Sequence, residues 1–135
     1  MFSEKEAKSG TAALPKDNRT ILIVDDDEII LHLLRRFFIG EGFEVSVARD
    51  GSEAKEKLKT IQPDLVLTDI KMPSLSGDGL IRFIHQHTEG IPVIVMTAYP
   101  YLYPPRETAS GVKAYFVKPF DLYEMFSSVE RILGG

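Results

Sequence analysis

The sequence predicts an α/β domain in which a five-stranded parallel sheet lies between two layers of helices. Apolar, strand-like segments alternate with helical segments from Thr20 onward. Three strand segments are nearly continuous apolar runs, which suits strands that are buried on both faces of a parallel sheet. Alternating strands and helices form right-handed units that place helices on both faces of the sheet. The 135 residues are enough for one such domain.

The elements follow one another in a regular order along the chain. Helices are predicted between the strands because apolar residues recur there at spacings of three and four. Gly40 and Gly42 follow the first helical segment, Pro63 follows the second, and Gly90 follows the third. The predicted strands are Ile21–Val24, Phe43–Ala48, Asp64–Thr68, Pro92–Met96 and Ala114–Val117. The apolar helical positions are Ile30, Leu33, Leu34 and Phe37; Ala54, Leu58 and Ile61; Leu80, Phe83 and Ile84; and Leu122, Met125, Phe126, Val129, Ile132 and Leu133.

The domain is predicted to occupy residues 19–135, after an extension over residues 1–18. The extension is charged, rich in small residues and interrupted by Pro15, and it has no periodic apolar pattern. Such a composition predicts a poorly ordered segment. A short helix that docks on the domain or on a partner is the alternative.

Composition excludes several functional classes. The net charge is −4 and the basic residues are dispersed among acidic ones, which argues against nucleic acid or an anionic membrane as the main partner. The absence of cysteine excludes disulfides, thiolate catalysis and zinc–thiolate sites. No apolar run approaches the roughly 20 residues that cross a bilayer. The charged start lacks the apolar region of a secretion signal, so a cytoplasmic protein is predicted.

Polar residues of particular kinds stand where the apolar strands end. Asp25 and Asp26 follow the first strand and Asp69 follows the third, whereas Thr97 follows the fourth and Lys118 the fifth. In open parallel sheets, ligands bind beyond the carboxyl ends of the strands, at the point where strand order reverses. Four strand ends therefore deliver carboxylates, a hydroxyl and an ammonium group to one crevice.

This combination predicts an acidic site for a metal ion and a phosphoryl group. Clustered carboxylates repel one another unless a cation joins them, and Lys118 offsets only part of their charge. Oxygen ligands, with room for phosphate and water, favour Mg2+ over Ca2+. A buried aspartate beside Mg2+ can act as a nucleophile towards phosphorus. The metal and Lys118 would then neutralise the transferring group, and Thr97 would donate a hydrogen bond to it.

Each residue also has a structural interpretation when it is taken alone. Asp27 and Glu28 are expected to cap the first helix. A single threonine or lysine at a strand end is usually structural, and His32, which sits among apolar residues, is predicted to be packed rather than catalytic. The joint occurrence of such residues at four strand ends favours the functional interpretation.

Four motifs, in order, resemble the receiver domain of bacterial two-component response regulators over about residues 20–133. They are ILIVDDD, LVLTDIKMP with Gly77 after it, VIVMTAY, and AYFVKPF. The resemblance implies a flavodoxin-like three-layer sandwich with strand order 2-1-3-4-5. It also implies that Mg2+ binds and that a phosphohistidine of a sensor histidine kinase or a phosphotransfer protein donates the phosphoryl group. The chain would then be a signalling switch rather than an enzyme, and it would catalyse only its own phosphorylation and dephosphorylation.

The resemblance assigns a role to each site residue. Asp26 would bind the metal directly and Asp25 largely through water. Asp69 would be the phosphoacceptor, and Lys118, preceding a cis proline, the cation that pairs with the phosphoryl group. The implied metal ligands are Asp25, Asp26, Asp69 and the backbone carbonyl of Lys71. The implied switch residues are Thr97 and Tyr115.

The segment between the fourth and fifth strands departs from the family pattern. Pro100, Pro104 and Pro105 stand where the family has a full fourth helix, so we predict a shortened helix that starts near Pro105. One interpretation is a locally repacked loop; the other is an altered partner surface. The target protein is predicted to bind a surface formed by this segment, the fifth strand and the last helix. The chain itself is predicted to be a monomer or a weak dimer.

Three rival functions remain open from the residues. A flavin- or nucleotide-binding module needs a Gly-, Ser- or Thr-rich loop after the first strand, where this chain has three aspartates. An aspartate-nucleophile phosphatase commonly has a second aspartate two residues after the nucleophile, where this chain has Lys71. A receiver that binds partners without phosphorylation is the least supported, because no site residue is missing. The domain could act alone, pass the phosphoryl group onward, or belong to a longer protein.

Overall fold

The computed structural model describes residues 19–71, 77–101 and 111–134, with the side chains of residues 77 and 78 excepted. Five parallel strands form one sheet in the order β2-β1-β3-β4-β5, which confirms the predicted fold. The strands are β1 (Thr20–Val24), β2 (Glu44–Ala48), β3 (Leu65–Asp69), β4 (Val93–Thr97) and β5 (Val112–Val117). The helices of the described residues are α1 (Glu28–Gly40), α2 (Gly51–Leu58), α3 (Gly77–His87) and α4 (Leu122–Leu133).

The sheet separates two apolar layers because neighbouring strand residues face opposite sides. Ile21 and Ile23 of β1 pack with α1 and α4, whereas Leu22 and Val24 pack with α2 and α3. β1, β3 and β4 are almost completely buried, as their apolar runs predict. The two layers bury the central strands on both faces, so a well-packed sheet positions the residues that follow these strands.

Aspartates begin three of the helices. Asp27 accepts hydrogen bonds from the first-turn amides of α1, and Asp50 and Asp121 do the same for α2 and α4. Each side chain satisfies amide groups that have no partner within the helix, and each carboxylate lies at the positive end of the helix dipole. The predicted capping by Asp27, with Glu28 in the first turn, is confirmed.

Several features of the structure differ from the predictions. β5 begins at Val112 rather than at Ala114, because Val93 pairs with Val112 across an irregular register. α2 ends at Leu58, so the predicted helical position Ile61 lies beyond it. His32 is exposed on α1, so its predicted packing is wrong.

Two predicted features lie outside the described residues. They are the shortened fourth helix near Pro105 and the extension over residues 1–18. Among the described residues, no helix is long and apolar enough to span a membrane.

Candidate functional site

The carboxyl ends of β1, β3 and β5 bring Asp25, Asp69 and Lys118 into direct contact. The ammonium nitrogen of Lys118 lies 2.6 Å from Oδ2 of Asp25 and 3.3 Å from Oδ2 of Asp69. Asp25 is completely buried and Asp69 is 7% exposed. The sequence separations of 93 and 49 residues show that only the parallel topology joins these groups. The predicted convergence of these three residues is confirmed.

Asp25 is the most constrained carboxylate of the site. Its Oδ1 accepts a hydrogen bond from the amide of Asp27 at 2.9 Å, and its Oδ2 accepts the one from Lys118. Burial raises the pKa of Asp25, and the charge of Asp69 adds to that rise. The hydrogen bonds from Lys118 and Asp27 lower it only in part. The ionised form is therefore held in place at a cost in desolvation.

Lys118 is held between the two acidic groups. Burial by itself lowers the pKa of Lys118, but the hydrogen bond and charge of Asp25, together with Asp69, outweigh it and raise the pKa. The ammonium is therefore charged at neutral pH. The Lys118–Pro119 peptide bond is cis, as the family resemblance implies.

Asp26 completes a cluster of three carboxylates. One oxygen each from Asp25, Asp26 and Asp69 lies within 4.8 Å of the others. Asp26 is exposed, and it makes no hydrogen bond or ion pair with another described residue. A close set of oxygen donors, one of them unengaged, fits a hard divalent cation such as Mg2+.

The loop after β3 also forms a hydrogen bond with the side chain of Asp69. The amide of Lys71 donates to Oδ1 of Asp69 at 3.3 Å. This bond and the bond from Lys118 are both long, so the Asp69 carboxylate is more weakly bound than that of Asp25. The side chain of Lys71 is directed to the ring of Tyr99, with its nitrogen 5.5 Å from the ring centroid.

Thr97 ends β4 and is fully buried. Its hydroxyl oxygen accepts a hydrogen bond from the amide of Tyr99 at 2.9 Å. Tyr115, on the neighbouring strand β5, is partly buried, and this burial raises the pKa of its phenol. The roles of Thr97 and Tyr115 in a switch remain predictions.

Sequence reasoning did not identify the link between Tyr99 and Lys71. Each residue stands two positions after a site residue, Tyr99 after Thr97 and Lys71 after Asp69. That equal spacing places both at the mouth of the same crevice, because their strands are neighbours. A search for complementary side chains just beyond adjacent strand ends would have found the pair.

Comparisons with known proteins find relatives of this sequence. A family model, response regulator receiver domain, matches residues 21–130. The chain is 39% identical over 118 residues to the regulatory protein AtoC of Escherichia coli, covering 84% of this chain and 25% of AtoC. It is 38% identical over 117 residues to sporulation initiation phosphotransferase F of Bacillus subtilis, covering 86% of this chain and 94% of that protein.

A solved structure shows the same fold. The response regulator TrrA of Thermotoga maritima, in complex with Mg2+–BeF, has a TM-score of 0.78 and 33% identity. The match covers 85% of this chain and 99% of that one. The present chain therefore spans almost all of TrrA and of the Bacillus protein but only about a quarter of the length of AtoC.

Proposed function

The chain belongs to the response regulator receiver domain family, and from that premise we propose that it accepts a phosphoryl group on Asp69. The observation that carries the proposal is the placement of Lys118 against both Asp25 and Asp69. A nucleophilic carboxylate is thereby paired with a cation that can neutralise an incoming phosphoryl group. Function of this kind is phosphorelay signalling, and the phosphodonor is a sensor histidine kinase or a phosphotransfer protein.

The acidic cluster is proposed to hold Mg2+. Both oxygens of Asp25 already accept hydrogen bonds from the chain, so Asp25 is suited to contact the metal through water. Asp26 is unengaged and exposed, which suits a direct ligand, and Asp69 and the carbonyl of Lys71 complete the proposed set. When bound, the ion supplies charge neutralisation to the acidic groups and to the phosphoryl oxygens.

Asp69 supplies the nucleophile. A carboxylate oxygen of Asp69 attacks phosphorus while the bond from phosphorus to the donor's imidazole nitrogen breaks. The electron pair leaves with that nitrogen, and the product on Asp69 is an acyl phosphate. The ammonium group of Lys118 needs no large movement to pair with the phosphoryl group on Asp69, because it already lies 3.3 Å from Oδ2 of Asp69.

Phosphorylation is proposed to act through Thr97 and Tyr115. A phosphoryl group on Asp69 attracts the Thr97 hydroxyl, and Tyr115 then occupies the space that Thr97 leaves. The described part of the proposed output surface, β5 and α4, includes a groove lined by Phe116, Asp121, Tyr123, Glu124, Ser127, Ser128 and Arg131. The protein is thus a switch that catalyses only its own modification.

Intact-mass spectrometry with acetyl phosphate tests the proposed function. One phosphoryl adduct per chain is expected with Mg2+ present, and none after chelation. The adduct should be removed by hydroxylamine, which cleaves acyl phosphates but not phosphate esters. An adduct that forms equally well without a divalent metal, or one that resists hydroxylamine, would contradict the proposal.

Mg2+ is expected to raise the melting temperature of the domain. Binding relieves the repulsion between the three carboxylates, and a hundredfold excess over the dissociation constant stabilises a protein by about 2.7 kcal/mol. Asp26→Asn removes a proposed ligand without breaking any contact with another described residue, so it should abolish most of this increase. Glu41→Gln, an exposed change at the other end of α1, is the matched control. Melting that is indifferent to millimolar Mg2+ at low ionic strength would contradict the site.

Thr97→Ala is expected to separate phosphorylation from the response. The variant retains Asp69 and Lys118, so acetyl phosphate should still label it. It lacks the hydroxyl, whose bond to a charged group is worth about 1.5–3 kcal/mol, a bias of roughly 10- to 100-fold in a two-state equilibrium. Hydrogen exchange around Tyr115 should therefore change with beryllium fluoride in the parent and little in the variant. An equal change in both would remove Thr97 from the switch.

A further inference from the structure

The outer surface of α1 carries an apolar groove where the helix meets the start of α4. Its volume is about 640 Å³. Ile29 and Leu33 are 78% and 47% exposed, although both are large aliphatic residues. Phe37 lies beside them and contacts Tyr123 edge to face, with the ring centroids 5.6 Å apart. The groove is lined by Glu28, Ile29, His32, Leu33, Arg36, Phe37 and Leu122.

This apolar stripe is not explained by the packing of α1 on the sheet. The buried face of α1 consists of Leu31, Leu34 and Phe38. Ile29 and Leu33 are one turn apart on a different face of the helix and extend the apolar surface into solvent. Adjacent exposed apolar side chains that line a groove are typical of a binding surface.

One end of the groove carries a cationic side chain. Arg36 lines it, and among the residues that the structure describes the side chain of Arg36 forms no hydrogen bond or ion pair. Glu28, at the other end, is already paired with Arg49. An occupant that places an apolar side chain on Leu33 and a carboxylate next to Arg36 would therefore complement this surface.

The extension, residues 1–18, contains both an apolar side chain and carboxylates of this kind. It is attached to the domain on the side of the sheet that carries α1. Its sequence MFSEKE sets Phe2 beside Glu4 and Glu6. The domain begins at Arg19. A guanidinium nitrogen of Arg19 lies 3.1 Å from a carboxylate oxygen of Glu130 in α4, and the guanidinium group lies over the ring of Phe43. These contacts hold the start of the domain on the side of the sheet that α1 and α4 cover.

The extension is also long enough to reach the groove. α1 rises about 1.5 Å per residue, so its 13 residues span roughly 20 Å. Seventeen residues of extended chain span up to about 60 Å. The backbone of Arg19 is hydrogen-bonded to Glu44, just after the end of α1, so Phe2 can reach any part of the helix.

We propose that residues 1–18 bind the α1 groove of their own domain, with Phe2 against Leu33 and an acidic neighbour against Arg36. A short tether gives an effective concentration in the millimolar range. A second copy of the chain at micromolar concentration is therefore a much weaker competitor for the same surface.

A single tryptophan tests the proposal, since the chain contains none. In the full chain carrying Phe2→Trp, tryptophan emission should be shifted to the blue. A contact with a dissociation constant equal to a millimolar effective concentration is half occupied, so acrylamide quenching should fall about twofold relative to a free peptide of residues 1–18 with the same substitution. Emission and quenching equal to those of the peptide would overturn the proposal.

Matched variants identify the surface and the occupant. Leu33→Asp should restore peptide-like quenching, whereas Ile39→Asp, at an equally exposed apolar position of α1 outside the groove, should not. Arg36→Glu should weaken the contact more than Arg35→Glu, because Arg35 does not line the groove. Quenching that depends on protein concentration would assign the groove to a second copy and overturn the intramolecular contact. None of these readouts depends on phosphorylation, so they stand apart from a failure of the proposed function.

Discussion

Lys118→Met is expected to lower the free energy of unfolding by about 3–4 kcal/mol at pH 7. Removing one partner of a buried ion pair typically costs about 3–5 kcal/mol, because the remaining charge stays buried without compensation. Here Lys118 is the only cation bonded to Asp25 and Asp69 among the described residues. Asp25 can limit the loss by taking up a proton; with an ordinary pKa of 3.8, this costs about 4 kcal/mol at pH 7.

The loss should become smaller as the pH falls. Burial already raises the pKa of Asp25, and removal of Lys118 withdraws a hydrogen bond and a charge that lower it. The folded variant therefore binds more protons than its unfolded chain above the ordinary pKa, so its stability falls as pH rises. Protonating Asp25 at pH 5 costs only about 2 kcal/mol, so the deficit relative to the parent should be roughly halved there.

Urea unfolding at several pH values measures this effect. Lys113→Met, an exposed change on the same strand, is the matched control and should alter stability by less than about 0.5 kcal/mol. Adding Asp25→Asn to Lys118→Met should recover much of the loss, since it removes the uncompensated charge. A loss that is independent of pH and is not recovered by Asp25→Asn would indicate a packing defect rather than an unpaired carboxylate.

The fold could be predicted from the sequence because its main determinants are local patterns. Continuous apolar runs indicated buried parallel strands, and the residues just after those runs could be assigned to one edge of the sheet. The four motifs added the strand order. Boundaries were less predictable: the length of β5 depends on how Val112 pairs with Val93, which is a property of two strands together.

The residues that form the site could be predicted, but the hydrogen bonds and the exposure of each one could not. The residue types alone do not distinguish Asp25 from Asp26, because both carry the same side chain at adjacent positions; only the family resemblance implied different roles for them. The structure separates them, since Asp25 turns inward to Lys118 and the amide of Asp27, while Asp26 stays exposed. The shorter contact of Lys118 with Asp25 than with Asp69 likewise depends on side-chain placement that only the assembled sheet defines.

Asp69→Asn is expected to abolish phosphorylation by acetyl phosphate or a phosphohistidine donor. The amide has nearly the shape of the carboxylate but lacks its negative charge and is not a nucleophile towards phosphorus. The fold should remain intact, because Lys118 keeps its 2.6 Å contact with Asp25. Without metal, the variant should be slightly more stable than the parent, since one of the three clustered charges has been removed.

Intact-mass labelling with Mg2+ and acetyl phosphate, together with thermal melting without metal, measures both consequences. Asp64→Asn is the matched control, because Asp64 stands just before the amino end of β3 whereas Asp69 stands at its carboxyl end. Asparagine at position 64 can still accept the hydrogen bond from the amide of Thr20. Labelling should persist there and disappear only at Asp69. If Asp69→Asn is still labelled at the parent's rate while its melting temperature rises, the charge cluster is real but another group receives the phosphoryl group. The contact between Lys118 and Asp69 would then be structural.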